Sequence, residues 1–133
     1  MSILLDTHVW IWSQESPMEI GRTARELLED RQQSIFVSTV STLEISRLRV
    51  AGVIELEGSL ISWVNDTLEA LSCATISISH EIASTAYELP GAFHKDPADR
   101  LLVATARLHE LQLMTADARI LEYPHVYSLD ARR

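Results

Sequence analysis

Ile3-Leu4-Leu5 is an apolar run with no polar alternation, and it stops abruptly at Asp6. A short uninterrupted run of this kind reads as a strand buried on both faces, the setting of a central strand in a parallel sheet. Similar runs recur along the chain. Ile35-Phe36-Val37 ends on Ser38-Thr39, Ala74 to Ile78 is short and alternating, and Leu111 to Met114 leads into Thr115-Ala116-Asp117. Val126-Tyr127-Ser128 reads as a last edge strand.

Helical spacings fill the intervals. THVWIWSQ follows Asp6, and residues 20–30 place Ile20, Ala24, Leu27 and Leu28 on one side. Ser38-Thr39 is suited to cap a helix over about 40–50. Residues 59–71 carry Leu60, Trp63, Val64, Leu68 and Leu71 on an apolar side, and Ser79 starts a helix to about Glu88, broken at Leu89-Pro90-Gly91. Pro97 fits the first position of a helix to about Glu110, with Asp96 as its cap, and Asp117 caps a short turn. Short strands alternating with helices of 10 to 13 residues predict one α/β domain over residues 1–133. Its expected core is a short parallel sheet of four or five strands with helices on both faces. Ligands of such sheets lie at the carboxyl ends of the strands, near the switch in strand order, and Asp6 and Asp117 fall there.

Composition narrows the function. The 133 residues are 47% hydrophobic and 23% charged, those of an ordinary soluble domain, with four Gly, four Pro and no low-complexity stretch. The single Cys73 excludes an internal disulfide and fits a reducing compartment. Absence of a basic leader or a membrane-length apolar run makes a cytoplasmic location, with no membrane association, the expectation. Net charge is −8, and Lys95 is the only lysine beside ten arginines. That balance argues against a nucleic-acid binder unless the acids gather round a cation and the arginines share a face.

The acids are spread over about 110 positions, each at or near the end of an apolar run: Asp6, Glu44, Asp96, Asp99 and Asp117. Asp96 precedes Pro97 and reads first as a helix cap, while for Asp6 and Asp117 cap and ligand are equal readings. Asp99 shares a helical side with Val103 and Ala106, which points it inward, where an unpaired carboxylate is costly. Glu44 falls inside the arc of Val40, Leu43, Leu48, Val50 and Ala51; its bland alternative is an ion pair with Arg47. Hard oxygen donors without paired His or Cys suit Mg²⁺ or Mn²⁺ and not zinc. His8 and His94 read as orienting or surface groups, the three tryptophans as packing residues and Cys73 as a small buried hydrophobe.

Four segments, LLDTHVWIW, STVSTLEISRL, HKDPADRLLVATA and LMTAD, stand in an order and spacing that resemble the PIN-domain family, and within it the VapC-type toxins of toxin–antitoxin pairs. The resemblance runs over essentially the whole chain, and the combination DT-H-x-W with DP-x-DR-LL-x-ATA is specific. It implies a Mg²⁺- or Mn²⁺-dependent endoribonuclease acting on RNA. Asp6, Glu44, Asp99 and Asp117 match the four acidic positions; Asp6 and Asp99 would hold the metal directly, Glu44 and Asp117 directly or through water, with Asp96 accessory. It further implies a homodimer and a cognate antitoxin protein whose tail reaches the acidic groove.

The residue types add chemistry. Without a histidine pair for acid–base work, in-line hydrolysis is expected rather than attack by the ribose 2′-OH. Arg47, Arg49 and Arg100 are candidate phosphate contacts, with surface charge or ion pairing as the equal alternative. Two other readings stand beside this one. A Mg²⁺-dependent phosphotransfer domain would need a second Asp two residues after Asp6, where His8 stands, or a lysine on a late strand, and Lys95 is in a loop. A catalytically silent PIN-like interaction module would not need all four acids.

Overall fold

The computed structural model describes residues 1–133. β1 (Ser2–Leu5) is the middle strand of a five-stranded sheet, and Ile3, Leu4 and Leu5 are wholly buried, as a strand covered on both faces requires. β2 (Ser34–Ser38) and β4 (Gln112–Thr115) flank it; β3 (Ala74–Ile76) lies beyond β2 and β5 (Ser128–Asp130) beyond β4. All four pairings are parallel, in the order β3-β2-β1-β4-β5. The chain builds outward from β1 to β3, then returns to lay β4 and β5 on the other side. The switch in strand order therefore falls between the carboxyl ends of β1 and β4.

Alternation along β1 divides the core in two. Ile3 and Leu5 join one cluster with residues of α1 (Thr7–Glu15), α2 (Arg22–Glu29) and α4 (Leu60–Leu71), and with Ile45 of α3 (Thr39–Val50). Leu4 points the other way, into a cluster with Leu102, Val103 and Ala106 of α6 (Pro97–Leu108) and Ile120 of α7 (Ala118–Leu121). A smaller cluster joins Ile82 of α5 (His80–Thr85) and Ala86 to Ala104 of α6. Trp10 anchors the first core: it is fully buried, donates its indole N–H to Thr67 at 3.0 Å, and packs on Trp63 with ring centroids 5.3 Å apart.

Several details differ from the sequence expectation, among them β3 ending at Ile76 and α6 at Leu108. α5 ends at Thr85, three residues early, and the carbonyl of Ala86 accepts instead from the Arg100 guanidinium at 3.1 Å. The edge strand starts at Ser128, so Tyr127 contributes its carbonyl to Leu113 N–H and Val126 lies outside the strand. A 3₁₀ turn over Pro17–Glu19, with proline at its start, was not foreseen. No helix is long and apolar enough to cross a membrane.

Past β5 the backbone is tied to the start of α2, where Gly21 N–H donates to Ala131 O at 2.8 Å and Thr23 N–H to Arg133 O at 2.7 Å. A Cβ at Gly21 would collide with the carbonyl carbons of Arg132 and Arg133, so this close approach demands glycine. Gly21→Ala is expected to cost about 1–3 kcal/mol, the range for overpacking. Urea denaturation reads it, and an unchanged midpoint would show that the tail is not held there.

Candidate metal centre

Each acid reaches the carboxyl edge of the sheet by a different route. Asp6 follows β1 directly and caps α1, its Oδ1 accepting from Thr7 N–H at 2.7 Å. Its Oδ2 accepts from the Thr115 hydroxyl at 2.6 Å, so the ends of β1 and β4 are joined through one carboxylate. Asp117 lies two residues past β4 and caps α7, its Oδ1 accepting from Arg119 N–H at 2.8 Å. Asp96 caps α6 through Ala98 and Asp99 N–H at 2.9 and 3.3 Å. Asp99 lies in the first turn of α6 on the same buried side as Val103 and Ala106. All four, together with Glu44, line one hollow of about 310 Å³, with His8, Trp12, Ala116, Arg119 and Arg132 completing its wall.

Glu44 arrives there for a reason other than the apolar arc. Leu43 and Val50 of that arc are 71% and 88% exposed, while α3 buries Val40, Ser41, Ile45 and Leu48. The inward side of α3 is partly polar. Glu44 is half-buried on it and accepts from the Thr7 hydroxyl at 2.5 Å, and Ser41 Oγ lies 2.9 Å from the same hydroxyl. No Arg47 ion pair forms.

The electrostatics are those of crowded acids short of counter-charge. Asp6 and Asp99 are each only 7% exposed. Burial raises the pKa of Asp6, against hydrogen bonds from Thr115 and Thr7 that lower it, and the Glu44 charge adds to the rise. Burial likewise pushes Asp99 up to about 6; His94 opposes this, and Asp6, Asp96 and Asp117 reinforce it. Asp117 moves the other way, because the Arg119 side chain bonds it at 2.9 and 3.2 Å. Arg119 also stands 3.7 Å from Asp99 Oδ2.

His94 takes the first of the two roles expected of it, orienting a carboxylate. Its Nε2 lies 2.6 Å from Asp99 Oδ2, and one ligand atom each of His94, Asp99 and Asp117 fall within 4.8 Å of one another. Its buried Nδ1 has no hydrogen-bond partner. Arg100 holds this loop, donating to the carbonyls of Phe93 at 2.7 Å and His94 at 2.9 Å as well as Ala86. It is thus a clamp on backbone and not a phosphate contact. Arg49 is similarly engaged with the carbonyls of Leu56 and Gly58, and Arg47 does not line the hollow. The arginines that do are Arg119 and Arg132. Neither follows a recognisable motif, although Arg119 is only two residues from Asp117.

Carboxylate oxygens predominate here, the donor chemistry of Mg²⁺ or Mn²⁺, and crowding them without enough positive charge fits a site for a cation. Asp6, Glu44, Asp96, Asp99 and Asp117 supply the carboxylate oxygens on the hollow, and His94 stands behind Asp99 with its Nε2 engaged by that carboxylate.

The family model described as the PIN domain matches residues 3–126. The chain is 33% identical over 124 residues to Ribonuclease VapC22 of Mycobacterium tuberculosis, covering 93% of each. Among solved structures, it superposes on a chain of VapBC2 from Rickettsia felis, bound to a DNA fragment from its promoter, with a TM-score of 0.65 at 15% identity. That match covers 97% of this chain and 98% of the other. A toxin–antitoxin complex from Klebsiella pneumoniae gives a TM-score of 0.62 at 22% identity over 97% of both chains.

A pH dependence follows from Asp99. An acid whose folded pKa exceeds its unfolded value binds more protons when folded, so its ionisation opposes folding above both values. Metal-free protein should therefore gain stability as pH falls from 7.5 through about 6 and on toward 4. Asp99→Asn should reduce that slope, leaving the part due to Asp6, and raise stability at pH 7.5 by about 1–3 kcal/mol. Urea midpoints at pH 5 and 7.5 decide this; equal slopes in both proteins would contradict it.

Proposed function

The chain belongs to the PIN-domain family, and from that premise we propose that it is a metal-dependent endoribonuclease, the toxin of a toxin–antitoxin pair. The observation that carries this reading is the convergence of Asp6, Glu44, Asp99 and Asp117 on one hollow at the switch point of the sheet. The 33% identical relative is named a ribonuclease, which supports RNA as the substrate.

When bound, Mg²⁺ or Mn²⁺ would supply Lewis-acid chemistry, making a water acidic enough to attack a phosphodiester and offsetting charge on its oxygens. Asp6 and Asp99 are its proposed direct holders. Thr115 and Thr7 fix the Asp6 carboxylate on both oxygens, leaving each oxygen a further lone pair for a ligand. His94 orients Asp99 through Nε2. Glu44, held by Thr7, is placed to accept a proton from an attacking water or to aim it. Arg119 now leans on Asp117 and Asp99; with those charges offset by a cation it becomes free to meet a phosphate oxygen.

A cognate antitoxin is the proposed partner, since the solved neighbours include toxin–antitoxin complexes. Leu43 and Val50, seven residues apart on the open side of α3, are apolar surface that such a partner or a second copy would cover.

The purified chain should cleave single-stranded RNA with Mg²⁺ or Mn²⁺ and stop when the metal is chelated. Asp99→Asn and Asp6→Asn should each lower kcat by about 10²-fold or more, the loss typical of a removed electrostatic group. Because water is the nucleophile, an RNA carrying a 2′-deoxy sugar at the cleaved position should still be cut, and no 2′,3′-cyclic phosphate should form. Gel and mass-spectrometric analysis of the products tests this. Cleavage that survives chelation, or that yields cyclic phosphate, would overturn the mechanism.

A further inference from the structure

Only one of the three tryptophans is set where a ligand could meet it. Trp10 and Trp63 use their indole N–H groups inside the protein, on Thr67 and on Glu15 at 3.2 Å. Trp12 makes no such bond, is only partly buried, and lines the acidic hollow with Asp6, Glu44 and Asp99. The guanidinium of Arg132 lies over its ring, 5.3 Å from the centroid, within the range of a cation–π contact. The exposed His8 flanks the same ring at 6.2 Å with its plane tilted by 58°.

Arg132 forms no ion pair, although acids crowd the hollow beside it. Its main chain is held in place on both sides. Its N–H donates to Asp130 Oδ1 at 2.9 Å, and the residues on either side are tied to Gly21 and Thr23. An exposed guanidinium lying over an indole, with no carboxylate partner, has donors free for whatever enters.

The net charge gives such a device a use. At −8, the chain lacks the broad basic surface that normally holds a polyanion, so affinity has to come from a few local contacts. Stacking on aromatic rings or guanidinium planes is one that does not depend on charge, and it requires a base that has left its helix.

We propose that Trp12 and Arg132 form a stacking platform for one unpaired nucleotide of the substrate beside the metal centre. The proposal rests on the ribonuclease reading for the identity of its ligand. The base lies against the Trp12–Arg132 pair, Arg132 reaches the adjoining phosphate, and Arg119 meets the next one at the acids. A continuous duplex keeps its bases stacked on one another and cannot offer one to the platform.

The test is binding of a fluorescein-labelled mixed-sequence 12-nucleotide RNA by the full chain, with Ca²⁺ in place of the cleavage metal, followed by anisotropy. Its annealed duplex is the comparison. The single strand should bind at least tenfold more tightly than the duplex. Trp12→Leu should weaken the single-strand complex by about 5- to 100-fold, corresponding to one stacked base, and Trp12→Phe should stay within about threefold of wild type. Arg132→Gln should flatten the log–log salt slope by about 0.7, one phosphate contact's worth for a single strand. Thermal melts of each variant separate lost contact from lost fold, and the Phe and Gln variants carry the test if the Leu variant does not fold.

Equal binding of duplex and single strand, or wild-type affinity in folded Trp12→Leu, overturns the platform even if RNA is cleaved. Wild-type protein that binds single strands through Trp12 but never cleaves them with Mg²⁺ or Mn²⁺ supports the platform and removes the nuclease reading.

Discussion

The rest of the site depends on two aspartates that are kept out of water with too little positive charge beside them. Asp6 is locked between β1 and β4 by the Thr115 hydroxyl and the first N–H of α1. Asp99 is carried inward by α6 and held by His94. Burying a carboxylate without full compensation raises its pKa and opposes folding, and both residues show that cost. It is tolerated because each acid sits on a rigid element that cannot turn it outward without unpacking the core. Asp6 follows a strand whose three apolar residues are wholly buried, and Asp99 precedes Leu102 and Val103, which are buried too. The fold holds the acids in a state that a divalent cation would relieve.

Around that pair the remaining groups divide the work. Thr7 ties α1 to α3 by holding Glu44, and its neighbour Ser41 completes a polar seam between two helices otherwise packed through apolar contacts. Arg100, by filling three carbonyls, fixes the loop that brings His94 to Asp99. Arg119 supplies nearby positive charge from the exposed side, so it is the part free to exchange when a cation or a phosphate arrives. Trp12 and Arg132 lie at the rim of the same hollow, where a nucleotide flanking the reacting phosphate would pass.

Much of the fold was legible because its cues are local. The unalternating run before Asp6 marked the central strand, and Asp96-Pro97 marked the start of α6 at the residue where it begins. The inward direction of Asp99 followed from its spacing to Val103 and Ala106, all three buried. Glu44 was a candidate for a reason that failed, since Leu43 and Val50 face solvent. What brings it in is a threonine 37 residues earlier, and no local pattern reports such a pairing. The arginines were misassigned for the same cause. Arg100 stands beside an acid in sequence but spends its donors on backbone carbonyls of a loop, whereas Arg132 is 33 residues from Asp99 and reaches the hollow only because β5 adds to β4. Contacts made by strand order are invisible to periodicity.

The central claim is that these carboxylates, Asp99 among them, form a binding site for one or more divalent cations. Calorimetric titration of Mn²⁺ into the metal-free chain, repeated in buffers of different ionisation enthalpy, measures it without reference to RNA. Because burial raises the pKa of both Asp99 and Asp6, saturation at pH 6 should release protons, since a ligand must be deprotonated to bind. The release should fall toward pH 8 and be smaller in Asp99→Asn, which keeps only the Asp6 contribution. No binding at millimolar Mn²⁺, or binding with the same proton release in wild type and Asp99→Asn, would contradict the account.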